Sequence, residues 1–225
     1  MNKIKDAMIY YPELVLALKQ TGYMIGTSMI FGVIFGLFFG TALFLTRHPS
    51  TTRQKIVYWL ISSYVNIVRS FPFLLLVVML IPVTRILVGT GFGPKSASVS
   101  LSLVAIAIFA RLCEQVFLDV PPSVLVLADT LGVSQRKFVF HFLWLEARSG
   151  LVLSGTSMLI SLVSYSTVMG VVGGGGIGDF AIRYGYQRYE YTVMMIAIII
   201  MVLLVGCIQF TGYKVAKKLD KRMLS

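Results

Sequence analysis

From Tyr23 to Thr46 the chain runs without a charged side chain. A helix needs about 20 mostly apolar residues to cross the hydrocarbon of a bilayer, and this run supplies them. Within it Gly32, Gly36 and Gly40 recur every fourth residue and so share one helix face. A face of small residues lets a second helix approach closely; the alternative is glycines scattered over a lipid-facing surface.

Further apolar runs follow. Ile56 to Val68 is amphipathic, with Trp59 and Tyr64 suited to an interface, and leads through Arg69-Ser70-Phe71-Pro72 into the apolar Phe73 to Val83. This reads as an interfacial entry into a second span that ends near Pro82. After Arg85 and the break at Gly89-Thr90-Gly91-Phe92-Gly93-Pro94, a third span is predicted from about Ser96 to Ala110, a fourth from about Gly150 to Val172, and a fifth from about Tyr191 to Tyr213. The expectation is an all-α integral membrane protein with five spans, one domain over residues 1–225. Composition agrees: 57% of residues are hydrophobic and 13% charged, against about 25% charged in soluble domains. Residues from Met1 to Lys19 lack a compact apolar run followed by a small-residue cleavage site, so no signal peptide is expected.

Residues 111–149 cannot span, because Arg111, Glu114, Asp119, Asp129, Arg136, Lys137, Glu146 and Arg148 lie along them. Pro121-Pro122 breaks the stretch, and Gly132-Val133-Ser134 marks a turn with Ser134 placed to cap a helix from Gln135. Two short helices in a cytoplasmic loop are predicted. Arg47, Arg53, Lys55, the basic residues of this loop, and the tail Lys214, Lys217, Lys218, Lys221 and Arg222 fall on one side, and they hold the larger share of the 20 Lys and Arg. Basic residues favour the cytoplasmic side, so the expected orientation is N-terminus out and C-terminus in.

The net charge of +11 is spread between apolar runs without a basic, aromatic-interleaved stripe, which argues against nucleic acid. Enzyme signatures are missing from the sequence. There is no His-Glu-x-x-His, no Gly-x-Ser-x-Gly and no pair of intramembrane aspartates. The Gly173–Gly176 run lacks the Lys-Ser/Thr of a phosphate loop, so the chain is not expected to hydrolyse ATP. Cys113 and Cys207 suggest neither a metal site nor a disulfide framework.

At the 111–149 loop the chain resembles the permeases of binding-protein-dependent ABC importers. Those carry a Glu-Ala-Ala segment with a glycine three residues on and a later Leu-Pro. Here Ala128, Gly132 and Glu146-Ala147 match, while Val126 stands where the family has Glu and Leu145 where it has Pro. Asn66-Ile67-Val68-Arg69-Ser70-Phe71-Pro72-Phe73, Ile81 to Thr90, Tyr165-Ser166, the glycine run ending in Ile177-Gly178, and Tyr184-Gly185-Tyr186 with Tyr189 resemble the methionine permeases of that family. The resemblance implies a type I ABC importer fold in a bacterial plasma membrane and a second copy of the chain. It also implies two ATP-binding subunits that carry the ATP and Mg, and an external substrate-binding protein. The substrate implied is methionine, in the D or L form. Another amino acid such as cystine or histidine, or a scaffold or sensor without transport, are the alternatives.

On this reading Arg69, before Pro72 in an apolar stretch, lines or braces the pathway; the alternative is an arginine snorkelling to the interface. Tyr165, Ser166 and Met169 offer hydroxyls and a soft apolar surface to a zwitterion with a thioether chain; the alternative is helix packing. Gly173, Gly174, Gly175, Gly176 and Gly178 allow a tight turn for an outer gate or a seat for the binding protein, or else a flexible loop. Ala128, Asp129, Gly132 and Glu146 are the expected ATPase-coupling residues.

Overall fold

The computed structural model describes residues 9–220. Lys3 and Lys5, and Lys221 and Arg222 of the basic tail, lie outside the described residues. The described chain is helical, in the order α1 Tyr11–Thr46, α2 Thr52–Ser70, α3 Phe73–Val88, α4 Gly93–Leu118, α5 Pro122–Thr130, α6 Gln135–Val171, α7 Gly176–Phe180 and α8 Tyr191–Leu219. Helices α1, α4, α6 and α8 are each long and apolar enough to cross a membrane. The α2–α3 pair makes a fifth span if the two are counted together across their 117° bend.

Helix α1 starts at Tyr11, well before the expected Tyr23. Pro12 stands in its first turn, where a missing N–H costs nothing, so it begins the helix rather than breaking it. At 36 residues α1 is about 54 Å long, and its first turns extend past the apolar run. Helix α2 opens with a capping box: the Gln54 amide donates to Thr51 Oγ1 at 3.3 Å and the Thr51 amide to Gln54 Oε1 at 3.3 Å. It stops at Phe71 and Pro72, both extended (ψ 135° and 124°), as a residue before proline prefers.

Three expected boundaries shift, each for its own reason. Helix α3 passes through Pro82 and ends at Val88, closed by Gly89 at φ 76°; one proline is tolerated where neighbouring helices support the backbone. Helix α4 continues past Ala110 to Leu118, because Arg111 Nη1 and Glu114 Oε2 pair at 2.7 Å on one face. The loop of two short helices becomes one short helix, α5, and the first turns of α6. Nothing between Gln135 and Gly150 breaks a helix, and residues Phe138–Leu143 take up the register as a π turn. Ser134 occupies the N-cap position in extended geometry (ψ 152°), without a side-chain cap bond.

The glycine face of α1 lies on α4, as its spacing predicts. A Cβ on Gly32 would fall 2.8 Å from Ala105 Cβ, on Gly36 2.8 Å from Phe109 Cβ, and on Gly40 2.6 Å from Cys113 Cβ. The partners repeat every four residues as well, so two matched rows mesh. Around this seam sits the core of Met24, Leu101, Phe109, Met158 and Leu162, closed by α6. Ile30, Ile34 and Phe38 on α1 and Ile199, Val202 and Leu203 on α8 face outward, which suits hydrocarbon rather than water.

Candidate functional site

The candidate site residues fall largely at two ends of the bundle, joined by α6. One holds the glycine run. Helix α6 stops at Val171, and Gly173, Gly175 and Gly176 take φ of 79°, 78° and 85°, which side chains with a Cβ rarely adopt. The Gly174 amide donates to the Met169 carbonyl at 2.7 Å, and the Gly93 amide donates to the Gly173 carbonyl at 2.8 Å. The turn then feeds α7 and a π turn over Ala181–Tyr186. Ile177 and Gly178 are buried in α7.

Two residues not singled out from sequence brace this turn. The Gly176 amide donates to Gln20 Oε1 at 2.8 Å, and the Ile177 amide donates to Thr21 Oγ1 at 2.9 Å. Both acceptors stand on the first turns of α1, ahead of the expected span. They satisfy two of the amides that a helix start leaves open. A Cβ on Gly175 would meet Gln20 Oε1 at 2.7 Å, and one on Gly176 would meet Met24 Cε and Thr21 Oγ1 at 2.7 Å. Nearby, the Arg188 guanidinium lies 4.9 Å from the Tyr184 ring and 5.9 Å from the Tyr10 ring. The glycine run is therefore a braced turn. Beside it a cavity of about 250 Å³ is lined by Glu13, Gln20, Asp179 and Arg183 among others, with Arg183 paired to Asp179 at 3.1 Å.

The proposed pathway residues are not gathered around one opening of this chain. Tyr165 is half-buried, its ring stacked 4.4 Å from Phe73 at the start of α3. Ser166 is buried, its hydroxyl donating to the Val163 carbonyl at 2.7 Å, and Met169 is buried in the core. Arg69 is exposed at the end of α2, just before the Phe71-Pro72 break. Arg69 and Tyr165 thus both lie near the α2–α3 bend.

The other end holds α5 and the start of α6. Ala128 is buried and anchors α5, while Asp129 is exposed. Gly132, at φ 61°, makes the turn, with its amide donating to the Asp129 carbonyl at 3.0 Å. Val126, Leu127 and Leu131 are 63%, 52% and 61% exposed, beside charged Asp129. Glu146 is exposed on α6 and lines a cavity of about 360 Å³ with Asp119, Arg148 and Asp220. Arg148 Nε donates to the Leu219 carbonyl at 3.0 Å and Ser149 Oγ to the Ala216 carbonyl at 3.0 Å, tying α6 to the end of α8. Among the described residues no group of three or more His, Cys, Asp or Glu side chains is arranged to hold a metal ion.

Membrane-length helices, a braced turn at one end and an apolar-faced short helix at the other define a polytopic membrane protein. The profile of the family described as "Binding-protein-dependent transport system inner membrane component" matches residues 32–225. The chain belongs to that family. It is 37% identical over 209 residues to the "Probable D-methionine transport system permease protein MetI" of Vibrio cholerae, covering 93% of each chain. It is 33% identical to the "Methionine import system permease protein MetP" of Bacillus subtilis, covering 80% of this chain and 81% of the relative. A solved chain of the MetNI methionine ABC transporter, in an inward-facing conformation, superposes with a TM-score of 0.89 at 36% identity, over 95% of this chain and 98% of the other.

Proposed function

We propose that this chain is the permease subunit of an ATP-driven methionine importer, working as a pair with a second copy of itself. The observation that carries the reading is likeness along nearly the whole length, in sequence and fold together, to permeases that bear methionine transport in their names. Two ATP-binding subunits, which hold the ATP and Mg, dock on α5 and the Gly132 turn, and an external binding protein delivers substrate at the glycine end. The N-terminus then lies outside and the C-terminus inside.

Two structural features support this assignment of ends. Residues Val126, Leu127 and Leu131 are exposed on a segment flanked by Asp119, Arg136 and Lys137. Such an apolar patch among charges marks a protein contact. Helix α6, with 37 residues, runs about 55 Å from the Gly132 turn to the Gly173 turn. It is a single lever between the docking end and the glycine end. When the ATPases close, the lever carries the movement to the braced turn and to the Tyr165–Phe73 contact at the α2–α3 bend. Access switches by rocking of packed bodies; a substrate biases the switch only through unequal affinity for its states.

The test is uptake of labelled methionine by vesicles carrying the permease with its ATPase and binding protein. Unlabelled D- or L-methionine competes, whereas cystine and histidine do not. Failure of both methionine forms to compete would reject the substrate. ATP hydrolysis by the assembled complex that ignores Val126→Asp would reject the docking end.

A further inference from the structure

A groove of about 600 Å³ opens on the side of the bundle between α1, α2 and α4. Its walls include Phe31, Phe35 and Phe39 of α1, Leu60 and Tyr64 of α2, and Leu103 of α4. The polar atoms that reach it are already satisfied. Tyr64 donates its hydroxyl to the Leu103 carbonyl at 2.7 Å, and the lining Ser102 donates to the Ser98 carbonyl at 2.6 Å. A site with no free polar partner does not hold water, so its occupant is hydrocarbon. From Phe31 to Phe39 the wall extends about 12 Å along α1, the scale of half an acyl chain.

Charge tells which hydrocarbon. No Asp or Glu occurs from Leu14 to Cys113. Within that acid-free stretch Arg47, Arg53 and Lys55 cluster between the end of α1 and the first turn of α2, all exposed. The ion pairs of Arg111 with Glu114 and of Arg183 with Asp179 do not involve them. At 3.6 residues per turn, Arg53, Leu60, Ile61 and Tyr64 fall on one face of α2, with Arg53 about 10 Å from Leu60 along the axis. Among the described residues no acid is paired with Arg53, so a cation stands in line with a dry groove.

We propose that the groove holds an acyl chain of an anionic phospholipid whose phosphate is bound by Arg53, with Arg47 and Lys55 beside it. A second copy of the chain is the poorer occupant. A two-fold contact uses the same patch on both subunits and would set two identical cationic clusters against each other.

The test uses the complete transporter, permease with ATPase, stripped of lipid in detergent and titrated in native mass spectrometry. Phosphatidylglycerol and phosphatidylcholine with the same chains are the probes. The wild type retains phosphatidylglycerol in preference. Arg53→Gln lowers that retention about fivefold and lowers phosphatidylcholine retention less, because the choline cation already offsets the charge of that lipid's phosphate. Leu60→Trp, at an exposed position on the groove wall, lowers both by occupying the groove. Equal retention of the two lipids by the wild type, or unchanged phosphatidylglycerol binding in Arg53→Gln, overturns the proposal. So does efficient cross-linking of two permease copies through Leu60→Cys in native membranes, which would give the groove to the partner.

Discussion

Removing the acceptor at Thr21 should loosen the glycine turn without unfolding the bundle. Thr21 is 3% exposed, and Thr21→Val keeps its shape while deleting the oxygen that takes the Ile177 amide at 2.9 Å. Ile177 is 1% exposed, so that amide has no water to turn to. Leaving one buried donor unpaired costs about 1–3 kcal/mol, and each 1.4 kcal/mol is about a factor of ten. Hydrogen exchange in peptides covering residues 170–180 is therefore expected to speed up by about 5-fold to 150-fold in Thr21→Val. Gln20→Met should act likewise on the Gly176 amide. Thr21→Ser and Gln20→Glu retain an acceptor oxygen and should restore protection. If the turn is the outer gate, the loosened variants also transport fewer methionines per ATP hydrolysed, while the conservative pair stays near wild type. Unchanged exchange in Thr21→Val would refute the bracing argument at that position, because the Ile177 amide would then be held by something other than Thr21.

The seam between α1 and α4 gives a sharper contrast between neighbouring positions. Gly36→Ala places a methyl 2.8 Å from Phe109 Cβ and 3.1 Å from the Ile106 carbonyl, and overpacking of this kind costs about 1–3 kcal/mol; Gly26→Ala meets nothing within 4 Å and should be neutral or stabilising by up to about 1 kcal/mol. Thermal unfolding of the purified subunit in detergent separates the two. At the other end, Leu127→Asp should weaken recovery of the ATPase with the permease by tenfold or more, measured by affinity purification, while the permease melts at its usual temperature. Labelling with an impermeant thiol reagent tests orientation: a cysteine at Arg136 should react only after the cells are opened. Reaction in intact cells would reverse the assignment of ends.

The glycine row could be read from sequence because its spacing sets all three residues on one helix face. Gly32, Gly36 and Gly40 point one way on any helix, and a helix met them. Their partners Ala105, Phe109 and Cys113 could not be read, since small and large apolar residues in a span look alike without a register. Helix ends were misplaced wherever charge stood in for a boundary. Arg111 and Glu114 look like the edge of a loop, yet a 2.7 Å pair and a bond from Arg111 to Asn66 Oδ1 at 2.6 Å hold them inside α4. The braces of the glycine turn stayed hidden for a different reason. Gln20 and Thr21 lie 156 residues from the amides they cap, and a polar pair ahead of a span is unremarkable until the chain returns to it. Arg69, Tyr165, Ser166 and Met169, proposed for the pathway, do not gather around one opening of this chain, and no periodicity could have shown that.

Helix α6 is where these readings converge, and its continuity is testable. Charges at Arg136, Lys137, Glu146 and Arg148 suggest a loop, but the chain stays helical through them into the apolar run. Two separate short helices would make a soft joint at Gly150, and movement at Gly132 would die there. One helix would carry it to Val171. Ser157 sits midway on an exposed face of α6, so Ser157→Pro disturbs the backbone with little loss of packing, and a proline in a helix interior costs about 3 kcal/mol and kinks the axis. The reconstituted variant should bind its ATPase and hydrolyse ATP, because α5 and Gly132 are untouched, yet import methionine at a small fraction of the wild-type rate. Full import by a correctly assembled Ser157→Pro transporter would show that the two ends communicate by another route, through α4 or the second copy, and the lever would have to be abandoned.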